Sequence, residues 1–279
     1  MDRFEESASA RASQIARDLA AAGRDILRLT TGEPDFPTPE HVKRAAIEAM
    51  RREETKYTNI SGTPELKRAV AAKFRRENGL DYAADEILVG AGAKQVIFNA
   101  MMATLEPGDE VLVPLPYYVS YNDIARLAEG VPVPVACAPG SGFRMRPADL
   151  AAAITPRTRW LILNSPGNPT GAVYSRDELK AFAAVLAHHP RVWVLADDIY
   201  EHILFDGAKF ATFAQAAPEL FERTLTVNGV SKAYAMTGWR IGYGGGPKHL
   251  IKAMGKVQSQ VTHAPSSIGQ AAAIGALEG

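Results

Sequence analysis

Lys232 stands in a loop between two short apolar runs within TLTVNGVSKAYAMTGWRIGY, residues 224–243. A lysine at the edge of a core loses its charge readily, and the neutral amine is a nucleophile that forms Schiff bases with carbonyl compounds. Arg240, eight positions later, offers a permanently charged planar fork suited to a phosphate. The pair points to an aldehyde cofactor bearing a phosphate. Either residue alone reads more readily as a solvated surface charge, so the case rests on what else converges on the loop.

Three further stretches carry compatible chemistry. After the apolar run VWVLA the chain reads Asp197-Asp198-Ile199-Tyr200. A carboxylate at a strand end in a partly buried cleft stays ionised only where a cation or donor meets it, and a protonated pyridine nitrogen would serve. Tyr200 can donate to a phenolate oxygen on the opposite edge of such a ring. In Asn164-Ser165-Pro166-Gly167-Asn168-Pro169-Thr170-Gly171, the amide of Asn168 is held before a proline and can reach the same oxygen. The plain alternative is a connecting turn. Gly90-Ala91-Gly92-Ala93-Lys94-Gln95 joins a strand to a helix, which leaves N–H groups and the positive end of the helix dipole free for an anion. It is not a Walker loop, because Gln95 follows Lys94, and it lacks the third glycine of a dinucleotide fingerprint. Gly242, Gly244, Gly245 and Gly246 fail the same test and read as a tight turn. Tyr118 could stack on a flat ring or belong to the core.

These residues need a scaffold that gathers them. Residues 5–22 have helical spacing and stop at Gly23, and Ile26 to Leu29 look extended. Thr31-Gly32-Glu33-Pro34-Asp35-Phe36-Pro37 excludes regular structure and suits close approach of a backbone to a ligand. Thr38 with Pro39, and Thr63 with Pro64, predict capped helices near 39–52 and 64–78. From Glu86 onward, strands EILVG, EVLVP, VPVPV, RWLIL and VWVLA alternate with helices, one opened by the capping box Ser175 and Glu178. Leu225 to Val227 and Trp239 to Tyr243 complete the set of strands, with Gly229 turning the first. Such alternation predicts an α/β fold, a mostly parallel sheet with helices on both faces. Ligands bind at the carboxyl ends of such strands. Gly90 to Lys94, Pro114 to Tyr118, Asn164 to Gly171, Asp197 to Tyr200 and Asn228 to Lys232 should therefore converge.

Composition narrows the partners. Among 279 residues, Lys+Arg and Asp+Glu balance at 31 each, so the chain carries no electrostatic footprint for nucleic acid or an anionic membrane. The single cysteine, Cys137, excludes an internal disulfide and reads as a small core residue. His188 and His189 are adjacent and point apart, which offers no ligand pair on a helix, and no metal site is predicted. The opening MDRFEESASARAS lacks the apolar segment of a signal peptide and no run is long enough to span a membrane, so the cytoplasm is the expected location.

NSPGNPTG, then DDIY, then NGVSKAYAMTGWRIG, in that order and at these separations, resemble the class I, fold-type-I pyridoxal-phosphate-dependent aminotransferases, within them the bacterial aspartate and aspartate/prephenate subgroup. The likeness runs from TTGEPDF through KYTNISGTPELK and PYYVSY to GPKHLIKAM. It implies that Lys232 holds pyridoxal 5'-phosphate as an imine, that Asp197 pairs with the ring nitrogen, and that Tyr200 and Asn168 contact the ring oxygen. Arg240 with Gly92, Ala93 and Lys94 would hold the phosphate, and Tyr118 would stack on the ring in place of a tryptophan common in the subgroup. Tyr57 would reach the phosphate of a neighbouring subunit, which implies a homodimer with shared sites. Gly32 would lie against the substrate carboxylate, alongside Asn168.

The implied reaction moves an amino group from an amino acid, aspartate in the first instance, to a 2-oxo acid such as 2-oxoglutarate. The implied layout is an N-terminal arm and part of a small domain over 1–35 and a large cofactor-binding domain over 36–279. Family members continue for about a hundred residues, enough for a small domain, which carries the arginine that clamps the substrate α-carboxylate. On that ground the sequence reads as a fragment, and this chain alone is expected to bind the cofactor but transaminate poorly. Asp198 also departs from the family, which usually has Glu there. A lyase or decarboxylase on the same cofactor and a non-catalytic cofactor-binding module are the other readings. A nicotinamide site built on Gly90 and Gly92 would leave Lys232 unexplained.

Overall fold

Alternate residues of the central strands enter different cores. Leu112, Leu161, Leu163, Val194 and Ala196 pack on one face of the sheet, while Val111, Val113, Trp160, Ile162 and Leu195 pack on the other. Side chains of a strand alternate between faces, so continuous apolar runs such as WLIL mark strands covered on both sides. The computed structural model in which this packing is seen describes residues 8–27, 29 and 32–279. The expected helix start at residues 5–7, Arg28 within the expected extended segment and the expected loop start at Thr31 lie outside the described residues.

In chain order the elements are α1 (Ala8–Ala21), α2 (Glu40–Arg51), α3 (Pro64–Lys73), β1 (Ile87–Gly90), α4 (Ala93–Thr104), β2 (Glu110–Leu115), α5 (Ser120–Leu127) and β3 (Val131–Ala136). There follow α6 (Pro147–Ala153), β4 (Thr158–Asn164), α7 (Arg176–Leu186), β5 (Trp193–Asp197), α8 (Phe213–Ala216), β6 (Thr224–Gly229), β7 (Gly242–Gly245), α9 (Lys248–Val261) and α10 (Ser267–Glu278). The seven strands form one sheet in the order β1-β7-β6-β5-β4-β2-β3. Strands β2 to β6 pair in parallel, and β7 runs antiparallel to both β6 and β1. With β7 reversed between them, β1 and β6 point the same way, so every strand except β7 ends on one edge. At the sheet margin, β3 carries Pro132 and Pro134, which cannot donate to a ladder and suit an edge strand.

Helices α6 to α8 cover one face through Leu150, Leu179, Phe182 and Phe213. Helices α4, α5 and α9 cover the other through Val96, Ile97, Tyr121, Ile124, Leu250 and Met254. A third cluster joins α2, α3 and α10 to β1 and β7 through Val42, Leu66, Val70, Ala273 and Tyr243. Helix α3 passes into a π-helical turn, Phe74–Asn78, closed by Gly79 at φ +64°.

The two Thr-Pro pairs behave differently. Thr63 caps α3 as expected, accepting from the Leu66 N–H at 3.3 Å. Thr38 does not cap α2, whose cap position is Pro39. Its hydroxyl instead donates to the Ala235 carbonyl at 2.6 Å and accepts from Trp239 Nε1 at 3.1 Å. The expected strand from Trp239 to Tyr243 also moves: Trp239 closes a short 3-10 turn, Arg240 is left-handed at φ +57°, and the strand begins at Gly242. Gly229 remains in β6, paired with Gly242, so residues 230–241 form one long connection holding both Lys232 and Arg240. The glycines at 242, 244 and 245 form a strand rather than a tight turn. A Cβ on Gly245 would lie 2.5 Å from the Tyr82 ring, and one on Gly242 only 2.0 Å from the Ala93 nitrogen.

Candidate active site

Asp197 ends β5, 4% exposed. Its Oδ2 accepts a 2.6 Å hydrogen bond from the Tyr121 hydroxyl, and its Oδ1 accepts from the Ile199 N–H at 3.4 Å. Both donors are neutral. Burial accordingly pushes the carboxyl up to about 6, against the opposing pull of Tyr121. The turn that follows places Tyr200, whose hydroxyl accepts from Asn168 Nδ2 at 3.2 Å. Burial and the Asp197 charge raise the pKa of that phenol. Asn164, at the end of β4, aligns both loops: its Oδ1 accepts from the Asn168 N–H at 2.7 Å, and its Nδ2 donates to the Asp197 carbonyl at 2.8 Å.

Lys232 lies beyond the end of β6, half-buried, with Nζ 5.8 Å from the centre of the Tyr200 ring. The amine donates to the Gly32 carbonyl at 2.6 Å. Burial lowers its pKa and Arg240 adds to the effect, while Tyr118 and Glu33 oppose it. A depressed lysine pKa increases the neutral, nucleophilic fraction at a given pH.

Arg240 is placed against the start of α4. Its Nη1 donates to the Thr237 carbonyl at 2.9 Å and its Nη2 to that of Ala91 at 3.4 Å. Gly92, at φ +87°, is the residue before the helix, and a Cβ there would lie 2.4 Å from Arg240 Nη2. The guanidinium can come this close only because position 92 has no side chain. The first N–H groups of a helix have no intrahelical acceptor, so the start of α4 at Ala93 and Lys94 together with Arg240 forms an anion cradle. Lys94 Nζ stands 5.4 Å from the centre of the Tyr118 ring. Burial pushes the Tyr118 phenol up, but hydrogen bonding to Lys94 and Ser120 and the charges of Lys94 and Lys232 bring it below the usual value. The Tyr118 ring meets that of Tyr121 edge-on, 5.6 Å between centres.

The structure thus gathers Gly32, Gly92, Ala93, Lys94, Tyr118, Asn168, Asp197, Tyr200, Lys232 and Arg240 at the carboxyl edge. Tyr57 stands apart. It is 93% exposed, and among aromatic neighbours of the described residues it meets only the His263 ring, tilted by 56° with 5.2 Å between centres. Its loop is nevertheless tethered: Gln270 Nε2 donates to Thr58 Oγ1 and its Oε1 accepts from the Thr63 N–H, while Gln258 Nε2 donates to the Ile60 carbonyl. Sequence reasoning passed over Tyr121, and placed Asn164 in a converging loop without giving it a role. The three-residue spacing of Tyr118 and Tyr121, which turns both toward one side, was the available signal.

Residues 24–279 match the family model described as aminotransferase class I and II, and the chain belongs to that family. Among curated relatives, the chain is 60% identical over 270 residues to the aspartate aminotransferase of Rhizobium meliloti strain 1021, covering 97% of this chain and 65% of that protein. It is 56% identical to the aspartate/prephenate aminotransferase of Cereibacter sphaeroides, covering 99% of this chain and 69% of the relative. The chain therefore spans about two thirds of the length of these relatives. Among solved structures, the Rhizobium meliloti aspartate aminotransferase superposes with a TM-score of 0.96 at 57% identity, covering 100% of this chain and 70% of the other. The Thermus thermophilus aspartate aminotransferase with maleate gives 0.94 at 49% identity, covering 98% and 70%.

Proposed function

We propose that this site holds pyridoxal 5'-phosphate and that the chain is the cofactor-binding part of an enzyme moving an amino group between an amino acid and a 2-oxo acid. The observation that carries the proposal is a pairing: the half-buried amine of Lys232 and the buried acid of Asp197 meet one residue group through Tyr200. The fit can be tested residue by residue. Asp197 has only neutral donors, so a cationic ring N–H supplies the counter-charge it lacks. The cradle of Arg240 and the α4 start accepts a dianion, and Gly92 and Gly242 leave no room for side chains beside it. Asn168 and Tyr200 already share a hydrogen bond at the place where a ring oxygen would be met.

When bound, the cofactor supplies an electron sink for charge developing at the substrate α-carbon. The remaining work falls to the chain. Asp197 would hold a proton on the ring nitrogen, and Tyr121 keeps that carboxylate oriented. Lys232 Nζ would be the amine that holds the aldehyde group and the base that would take a proton from the substrate α-carbon and return it. Tyr118 would cover a face of the ring, and Gly32 and Asn168 would border the substrate carboxylate. The names of the relatives support aspartate as donor, and 2-oxoglutarate is the acceptor that the family resemblance implies.

The same reading includes a homodimer in which Tyr57 reaches the partner's phosphate, supported by the exposure of its ring on a tethered loop. It also includes an arm over residues 1–35, a large domain over 36–279 and a cytoplasmic location; no helix among the described residues is long and apolar enough to cross a membrane.

Reduction with borohydride in the presence of pyridoxal 5'-phosphate, followed by peptide mapping, tests the assignment. Label on Lys232 is expected, and label on another lysine overturns it. Supplying aspartate and 2-oxoglutarate then reads whether these 279 residues alone form glutamate.

A further inference from the structure

Beneath the turn that carries Tyr200 lies a closed ring of three buried polar side chains with no part in the chemistry above. Lys73, at the end of α3, is 1% exposed, and Glu201 is 5% exposed. Lys73 Nζ donates to the Glu201 carboxylate and, at 2.8 Å, to Asn78 Oδ1. Asn78 Nδ2 donates at 2.6 Å to the second oxygen of Glu201. Both carboxylate oxygens are gripped, which fixes the orientation of Glu201 as well as its place.

The local backbone is shaped to make this ring. Residues five apart do not share a face of an α-helix, whereas the i→i+5 bonding of a π-turn brings them together. The turn Phe74–Asn78 follows Lys73 directly, and Lys73 and Asn78 are five apart. Burying an ion pair is costly, and replacing it by apolar side chains of similar volume is often neutral or stabilising. Stability alone therefore gives no reason for Lys73 and Glu201 to be charged.

We propose that the Lys73–Asn78–Glu201 ring is a positioning device for Tyr200, fixing from below the turn whose hydroxyl meets the bound cofactor. This rests on the cofactor reading above. The turn is pinned at its start by β5 and by the Asp198 N–H, which donates to the Val227 carbonyl at 2.9 Å. Within it, Glu201 N–H donates to Asp198 and Ile203 N–H to Tyr200. Its far end has Glu201 as anchor. Tyr200 lies between these two fixed points, directly before Glu201, so the tilt of its ring follows the carboxylate. A catalytic hydroxyl must be held to within about half an ångström, which requires support of this kind.

Glu77, Glu201 and His202 also bring potential metal-ligand atoms within 4.8 Å of one another. The Lys73 ammonium already occupies that role, bonded to Glu201 and 3.5 Å from Glu77. A metal ion there would face a buried cation.

The test reads the absorbance of the bound cofactor against pH. A phenol donating to the ring oxygen stabilises its anionic form and lowers the basicity of the nearby imine nitrogen, so loss of that donor moves the midpoint upward. Tyr200→Phe is expected to raise it by about one pH unit or less. The double variant K73M/E201L, which removes both charges at once, should stay folded by circular dichroism and raise the midpoint in the same direction. In the Tyr200→Phe background it should add nothing. Asn78→Ala, which removes one grip and leaves the charge pair, should give a smaller shift of the same sign and serves where the double variant does not fold. An unchanged midpoint in Tyr200→Phe would sink the cofactor reading and this inference with it. A shift in Tyr200→Phe with none in the ring variants, or a ring effect that persists without the Tyr200 hydroxyl, would overturn the inference alone.

Discussion

The Tyr121 hydroxyl, from the first turn of α5, donates at 2.6 Å to Oδ2 of Asp197 at the end of the central strand β5. Hydrogen bonds to a charged group contribute about 1.5–3 kcal/mol. Tyr121→Phe removes this donor without opening a cavity. Cofactor affinity, measured by absorbance titration, is expected to fall about tenfold or more.

Asp197 also sets a pH dependence for the cofactor-free chain. Its folded value of about 6 lies above the ordinary 3.8, so the folded state binds the proton more tightly than the unfolded one. The stabilising contribution is complete below about 4 and is lost as the pH rises through 6. Asp197→Asn should therefore be more stable than the parent at pH 8, by at most about 3 kcal/mol, with no such advantage at pH 4. Urea unfolding at both pH values measures this. An equal advantage at the two would refute it.

Gly92 and Gly242 line the same cradle but should fail differently. At Gly92 the clash is with the end of a long side chain, Arg240, which can swing away. Gly92→Ala at φ +87° is expected to cost about 1–2 kcal/mol of stability and most of the phosphate affinity. At Gly242 the clash is with backbone atoms of Gly92 and Ala93, which cannot move aside, so Gly242→Ala should cost about 3 kcal/mol or more. Inorganic phosphate protection against thermal unfolding separates the two: the folded Gly92→Ala protein should show little.

Gln270 is fully buried and bonds Thr58, Thr63 and Pro265. Gln270→Leu leaves all three without their partner, at an expected cost of about 2–4 kcal/mol. Hydrogen exchange of the Thr63 amide, whose acceptor is Gln270 Oε1, should accelerate more than that of the Val89 amide, which is bonded to Ser61.

Much of this arrangement was legible because the rule that ligands meet the carboxyl edge of parallel strands turns strand ends into site candidates. Lys232, Asp197, Tyr200, Asn168 and Gly92 follow directly. What escaped depends on contacts remote in sequence. Thr38 looks like a cap, but its hydroxyl is engaged by Ala235 and Trp239. The aromatic segment from Trp239 resembles a strand, yet Arg240 must turn left-handed to face α4, and the strand falls instead on glycines that make room for Tyr82 and Ala93. Nothing in the local sequence marks Lys73 and Glu201 for burial, and only the folded chain buries them together.

The reversed strand β7 sets an order of events during synthesis. Gly92 and Arg240 become neighbours only when β7 inserts between β1 and β6, and its partner β1 lies more than half the chain earlier. A chain ending before Gly242 would contain Lys232, Asp197, Gly92 and Arg240 but would lack the strand that ties the β1 end to the β6 end. The anion cradle is therefore completed by the last strand of the sheet to be made.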